Sequence, residues 1–173
     1  VGAAPAGTAQ APPPEVLARL EGILAQVPDP EIPVISVLDL GVIRHFRVRP
    51  DGRLEVGITP TYSGCPASDV IKADVLRALG AAGFPAVAVD VLAPPWSSDW
   101  LSEEGRRKLA AFGIAPPEAG RRRGPGSGFG TPAACPRCGS ARTTRTSDFG
   151  STPCKALYRC DACLEPFDYF KCI

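Results

Sequence analysis

Two C-x2-C pairs, Cys135/Cys138 and Cys160/Cys163, stand 21 residues apart near the end of this 173-residue chain, and they dictate what its last forty residues can become. So short a segment cannot bury enough apolar surface to fold unaided. Four thiolates offered from two tight turns are a tetrahedral set for a soft divalent ion, and the spacing is close to that of a zinc ribbon in which the metal is structural. Gly139, just after the first pair, suits a turn with positive φ. Thr143–Thr146, Ala156–Tyr158 and Pro166–Phe170 read as the strands of a ribbon over residues 135–173. An iron centre and disulfides are the competing readings. Six of the seven cysteines lie after residue 134, and the N-terminal VGAAPAGTAQAPPP has no secretory pattern, which favours metal over disulfides. Cys154 and Cys172 fit no pair. Each reads as a small packed hydrophobe, with proximity to the metal or exchange with Cys65 as the sharper alternative.

Upstream, the pattern is that of a small two-layer α/β domain over residues 15–117. Val16, Leu17, Leu20, Ile23, Leu24 and Val27 recur at helical spacing and predict a helix over Glu15–Gln26, with Pro14 in its first turn. Pro28, Pro30 and Pro33 forbid regular helix, so Asp29 and Glu31 fall on a stiff loop. Val42–Val48 and Leu54–Ile58 flank Pro50-Asp51-Gly52 and predict a β-hairpin. A second helix over Pro66–Leu79, a strand over Ala86–Leu92 and a helix over Ser102–Phe112, N-capped by Ser102, complete the order helix, hairpin, helix, strand, helix. The expected fold class is thus α+β, this domain followed by the ribbon. Residues 1–14 are expected to be a disordered arm and residues 118–134 a flexible Gly/Pro/Arg linker.

Cys65 lies 70 residues before the next cysteine. With Pro66 taken as the first helical residue, Cys65 is expected at the N-cap, where free backbone N–H groups and the helix dipole favour a thiolate; an inert small hydrophobe is the competing reading. Gly64 permits a sharp turn there, and Thr61, Tyr62 and Ser63 place hydroxyls alongside. His45, the single histidine, reads as a strand-surface residue, so a Cys–His nucleophile has no support. There is no phosphate-binding G-x-x-x-x-G-K, no G-x-G-x-x-G opening a helix and no G-x-S-x-G elbow. No apolar run approaches the roughly 18 residues that span a bilayer. Residues 1–120 carry net −4 and residues 121–173 net +5. That bias, Arg121-Arg122-Arg123 included, is too weak for a nucleic-acid binder. The chain is expected to be cytoplasmic, with neither nucleic acid nor membrane as partner.

DPEIPVISVLDLGVI, with Asp29, Glu31, Asp39 and Gly41, resembles the signature of the small iron–sulfur cluster assembly domain. TPTYSGCP, with Thr59, Gly64 and Cys65, resembles its second signature, whose cysteine handles metal or cluster. Residues Pro94–Pro117, then CPRC, SDFGSTPCKALYRC and EPFDYFK, are similar to the D subunits of bacterial ring-1,2-phenylacetyl-CoA epoxidases. The resemblance implies a non-catalytic accessory subunit in aerobic phenylacetate catabolism. It also implies structural zinc on the ribbon, a transient iron or iron–sulfur cluster at Cys65, and two partners, a di-iron oxygenase and a flavin/iron–sulfur reductase. The sequence itself offers no Glu-x-x-His pair for a di-iron site. The implied role is maturation, delivering or repairing partner metal centres, with a scaffold or zinc-ribbon docking module as the alternative. Trp96 and Trp100 read either as a docking surface or as packing for the last helix.

Overall fold

The computed structural model describes residues 10–62, 64–117 and 134–171. The expectations for Cys172, for Arg121-Arg122-Arg123 and for most of the linker fall outside them. The chain divides into two compact units between Pro95 and Trp96.

In the first unit, α1 (Pro14–Leu24) starts on proline, whose missing N–H costs nothing in a first turn. It buries Leu20 and Leu24. The hairpin forms as its alternation requires: β1 (Ile43–Val48) pairs antiparallel with β2 (Leu54–Ile58). Gly52, at φ 79°, turns the chain between them. Leu54, Val56 and Ile58 point one way into the core, as the two-residue period of a strand demands. On the opposite face, Gly57 lies beneath the His45 ring, where a Cβ would collide, and His45 Nε2 meets Glu55 Oε1 at 3.2 Å. Helix α2 (Ser68–Ala81) crosses back over the sheet, burying Ile71, Val75 and Leu79, so that β3 (Ala86–Asp90) joins β2 in parallel. The sheet order is β1-β2-β3.

The arm expected over 1–14 needs correction at its end. Gln10 exchanges both backbone hydrogen bonds with Val48, at 3.2 and 2.7 Å, covering part of the β1 edge, and residues 11–13 lead directly into α1.

The second unit begins earlier than the sequence suggests. Helix α3 (Glu103–Ala111) forms as expected, with the Ser102 hydroxyl accepting from the Gly105 N–H at 2.9 Å. Behind it comes β4 (Ile114–Ala115), which pairs in parallel with β7 (Pro166–Phe170). A two-residue strand has no readable alternation, and β4 moves the boundary from 117 to 95. The second sheet runs β4-β7-β6-β5, with β5 (Thr143–Ser147) and β6 (Lys155–Cys160) completing it. Trp96 is 3% exposed and meets Phe170 edge-on at 5.8 Å between ring centres, so it packs against β7 rather than presenting a surface. No helix among the described residues is long and apolar enough to cross a membrane.

Candidate functional site

Two features of the chain could handle metal. The first is the set of four cysteines in the second unit. The Sγ atoms of Cys135, Cys138, Cys160 and Cys163 all lie within 4.8 Å of one another, with Cys135–Cys163 at 3.7 Å and Cys138–Cys160 at 3.6 Å. Metal–sulfur bonds of about 2.3 Å in a tetrahedron set its edges near 3.8 Å, so the cage fits a tetrahedral thiolate metal. Two turns build it. The Gly139 N–H donates to Cys135 O (2.9 Å), and the Leu164 N–H donates to Cys160 O (3.0 Å). Both turns end on left-handed residues, Gly139 at φ 72° and Leu164 at φ 65°.

The N–H groups of Cys163 and Ala162 point at Cys160 Sγ, at 3.5 and 3.4 Å. The Cys163 N–H, then the Ala162 N–H and the neighbouring thiols, pull Cys160 down to about 6, so it offers a thiolate at neutral pH. Cys163, although the Glu165 N–H favours its thiolate, is pushed up to about 12 by burial and the crowding thiols. A cation in the cage supplies the charge that lets all four ionise together.

Leucine in the left-handed region costs about 1–2 kcal/mol relative to a right-handed conformation, and Leu164 is 68% exposed. Its side chain therefore returns little of that cost. Leu164→Gly is expected to stabilise the metal-bound protein by about 0.5–1 kcal/mol, after the added flexibility of the unfolded chain is subtracted. Thermal melting checks this, and a lowered midpoint would contradict it.

The second feature is Cys65. Its loop leaves the carboxyl ends of the parallel strands β2 and β3, where open α/β sheets place their ligands. Thr59, 2% exposed, anchors the loop: its N–H donates to Val42 O (2.8 Å) and its hydroxyl to Val91 O (2.7 Å). The first of these bonds joins the two signature stretches, since Val42 directly follows Asp39-Leu40-Gly41. Gly64 turns the chain at φ 82°, where any side chain would be strained.

Cys65 itself is partly exposed. It is not the N-cap of α2. That position is Ala67, and Cys65 stands two residues earlier, its N–H donating to Tyr62 O (3.3 Å) and its carbonyl accepting from Ser68 N–H (3.1 Å). Pro66 occupies a lead-in turn rather than the first helical turn, so the dipole argument for the thiol does not apply in the form expected.

The carboxylates of the first signature hold backbone. Asp29 Oδ1 accepts from the N–H groups of Glu31 (3.0 Å) and Ile32 (2.7 Å). Asp39 Oδ2 accepts from Ser36 N–H and Ser36 Oγ, while the Asp39 N–H donates to Ser36 Oγ, each at 3.0 Å. These turns were hidden in the sequence, although Asp before Pro and Ser-x-x-Asp are both local capping patterns. Cys154 is buried, outside the cage, with its sulfur in a hydrogen bond with Thr152 Oγ1 at 3.0 Å.

Comparison with known proteins agrees with this division. Residues 17–91 match the family described as iron–sulfur cluster assembly protein, and residues 125–171 match the PaaD zinc beta ribbon domain. Over 162 residues, 93% of this chain and 95% of the relative, the sequence is 46% identical to an Escherichia coli protein assigned as the D subunit of 1,2-phenylacetyl-CoA epoxidase. The chain belongs to this family of epoxidase D subunits. A shorter relative, an Fe-S protein maturation auxiliary factor of Porphyromonas gingivalis, is 40% identical over 50% of this chain and 84% of its own length. A solved domain of unknown function from Bacillus anthracis is 25% identical, with a TM-score of 0.49 over 53% of this chain and 89% of its own. Within this member of the family, the Cys65 loop falls in the assembly-protein match and all four clustered cysteines fall in the ribbon match.

Proposed function

We propose that this chain is a non-catalytic accessory subunit of phenylacetyl-CoA epoxidase. It would act in the cytoplasm by passing iron or an iron–sulfur cluster from Cys65 to a metal-bearing partner, the di-iron oxygenase or the flavin/iron–sulfur reductase. The observation that carries this reading is the position of Cys65. It is a partly exposed thiol at the carboxyl ends of parallel strands, on a loop fixed by Thr59 and turned by Gly64, while four other cysteines already form a complete cage. Similarity of residues 17–91 to iron–sulfur assembly and maturation proteins supports the same role. Zinc is the metal we assign to the cage, as the ribbon family's description and the four-thiolate set both suggest. Asp29 and Asp39 shape the first signature loop, Glu31 joining it through its N–H to Asp29, and the end of the loop is bonded to Thr59.

The test is metal and sulfide analysis of anaerobically purified protein, wild type beside Cys65→Ser. One zinc per chain in both, with iron in the wild type only, is the expected result. Zinc alone in both would favour the scaffold or docking reading, in which no metal passes.

A further inference from the structure

We infer that the four-cysteine cage is also a peroxide-responsive switch, in which Cys138 is the sulfur an oxidant meets first and Cys160 is its disulfide partner across the cage. Joining the two releases the metal. The inference goes beyond the metal-transfer reading of Cys65 and rests only on the zinc assigned to the cage.

The four sulfurs are unequally sheltered. Cys160 is 0% and Cys135 2% exposed, Cys163 is half-buried, and Cys138 is exposed. A metal held by four thiolates has no position left for a reagent, so attack on such a site falls on the ligands themselves. The exposed ligand is the one that a small polar oxidant reaches. A coordinating cysteine is held as thiolate, the form that peroxides oxidise.

Oxidation of one isolated thiol stops at the sulfenic acid, whereas a second thiol within reach carries it on to a reversible disulfide. The cage supplies that second thiol. Cys138 Sγ stands 3.6 Å from Cys160 Sγ, and a disulfide of about 2.05 Å asks the pair to close by roughly 1.5 Å. Cys160 is the fixed member. It ends β6 paired with Thr143 of β5, and the N–H groups of Ala162 and Cys163 point at its sulfur from 3.4 and 3.5 Å. Cys138 is the member free to move, since Gly139 beside it has nothing packed over it. Cys154, outside the cage, and Cys65, in the other unit, take no part.

With hydrogen peroxide as oxidant the chemistry closes in two steps. The Cys138 thiolate attacks one peroxide oxygen; the O–O bond breaks, a sulfenic acid forms and hydroxide leaves. The Cys160 thiolate then attacks the Cys138 sulfur; the S–O bond breaks, the S–S bond forms and a second hydroxide leaves. The two sulfurs together give up the two electrons that reduce the peroxide. Cys135 and Cys163 remain, two ligands where the metal needs four. The new bond spans 22 positions and joins the approach to β5 with the last residue of β6. It therefore closes the open end of that hairpin once the metal has gone, and reduction returns both sulfurs to a cage that can be refilled.

The test treats the full-length, zinc-loaded protein with hydrogen peroxide, following zinc release with a chromogenic chelator and mapping disulfides by peptide mass spectrometry. Zinc should leave the wild type, Cys138–Cys160 should be the first disulfide to appear, and a dithiol with added zinc should restore the metal. Cys65→Ser should release zinc as the wild type does. Cys138→His keeps a Cys3His set that also holds zinc, and should release it about tenfold or more slowly. Cys163→His should still form the Cys138–Cys160 bond. Zinc retained by the wild type through the treatment overturns the switch. So does a first disulfide within either C-x2-C pair, or a Cys138→His protein that loses zinc as fast as the wild type. The wild-type map decides the pairing even where the histidine variant fails to load. Protein that carries no zinc before treatment overturns the zinc assignment and the switch together.

Discussion

Cys65→Ala is expected to abolish phenylacetyl-CoA epoxidase activity in cells while leaving the fold and the zinc content of the protein intact. The two halves of this result have separate causes. The turn around Cys65 is made by backbone, through Tyr62 O, Ser68 N–H and the left-handed Gly64, and alanine supports all of it. Cys65 is only partly buried, so losing the sulfur should cost no more than about 0.5–1 kcal/mol of stability. The chemistry has no such reserve. Alanine cannot ligate a soft metal, and among the described residues every other cysteine is either in the cage or buried beside Thr152. Activity in cells carrying the variant, measured beside the melting curve and zinc content of the purified protein, checks both halves. Undiminished activity would sink the role assigned to the thiol. A collapsed melting curve would move Cys65 into the packing.

Stripping the metal, or replacing Cys160 by serine, is expected to unfold the second unit while the first keeps its structure. Cys135 and Cys160 are at once members of the cage and of the small core formed with Ala115, Ala156, Tyr158 and Phe167. Removing the ion returns mutually crowded thiols to that core with nothing to bridge them. Structural zinc in such small domains is worth about 10–16 kcal/mol of apparent binding energy, more than so small a core can replace. The first unit has its own core, with Leu20, Leu24, Val56, Val75 and Leu79 fully buried, and no ligand in the cage. Hydrogen exchange should therefore show the amides of β5, β6 and β7 losing protection on chelation while those of β1, β2 and α2 keep theirs. The amides of β4 should follow the ribbon, because Ile114 and Ala115 pair with Asp168 and Tyr169. Uniform loss in both units would reject two independent cores.

Much of this organisation was legible because the signals were local. Pro14, the alternation of Leu54, Val56 and Ile58, Ser102 as a cap and the C-x2-C spacing each act within a few residues, and each element formed where they placed it. The failures share a different cause. Nothing adjacent to Ile114 announces that its partner is Asp168, more than fifty positions on. Pro66 satisfies the rule for a first helical residue, yet the chain uses it in a turn before Ala67, and this displaced Cys65 from the cap. Asp29 and Asp39 are visible as signature residues, but their hydrogen bonds to Ile32 and Ser36 follow from how the loop folds. Cys65 was identifiable as a candidate from its residue type and setting, and its place beyond β2 and β3 depends on the parallel pairing of distant strands.

The position of β4 alters what counts as the portable piece of this protein. The stretch 118–134, expected to separate two domains, lies in sequence between β4 and β5, two strands of one sheet. A ribbon transplanted from residue 118 onward would leave the flank of β7 that β4 occupies without its pairing, an open edge that invites strands from other chains. The unit that could be exchanged between proteins as a whole begins at Trp96.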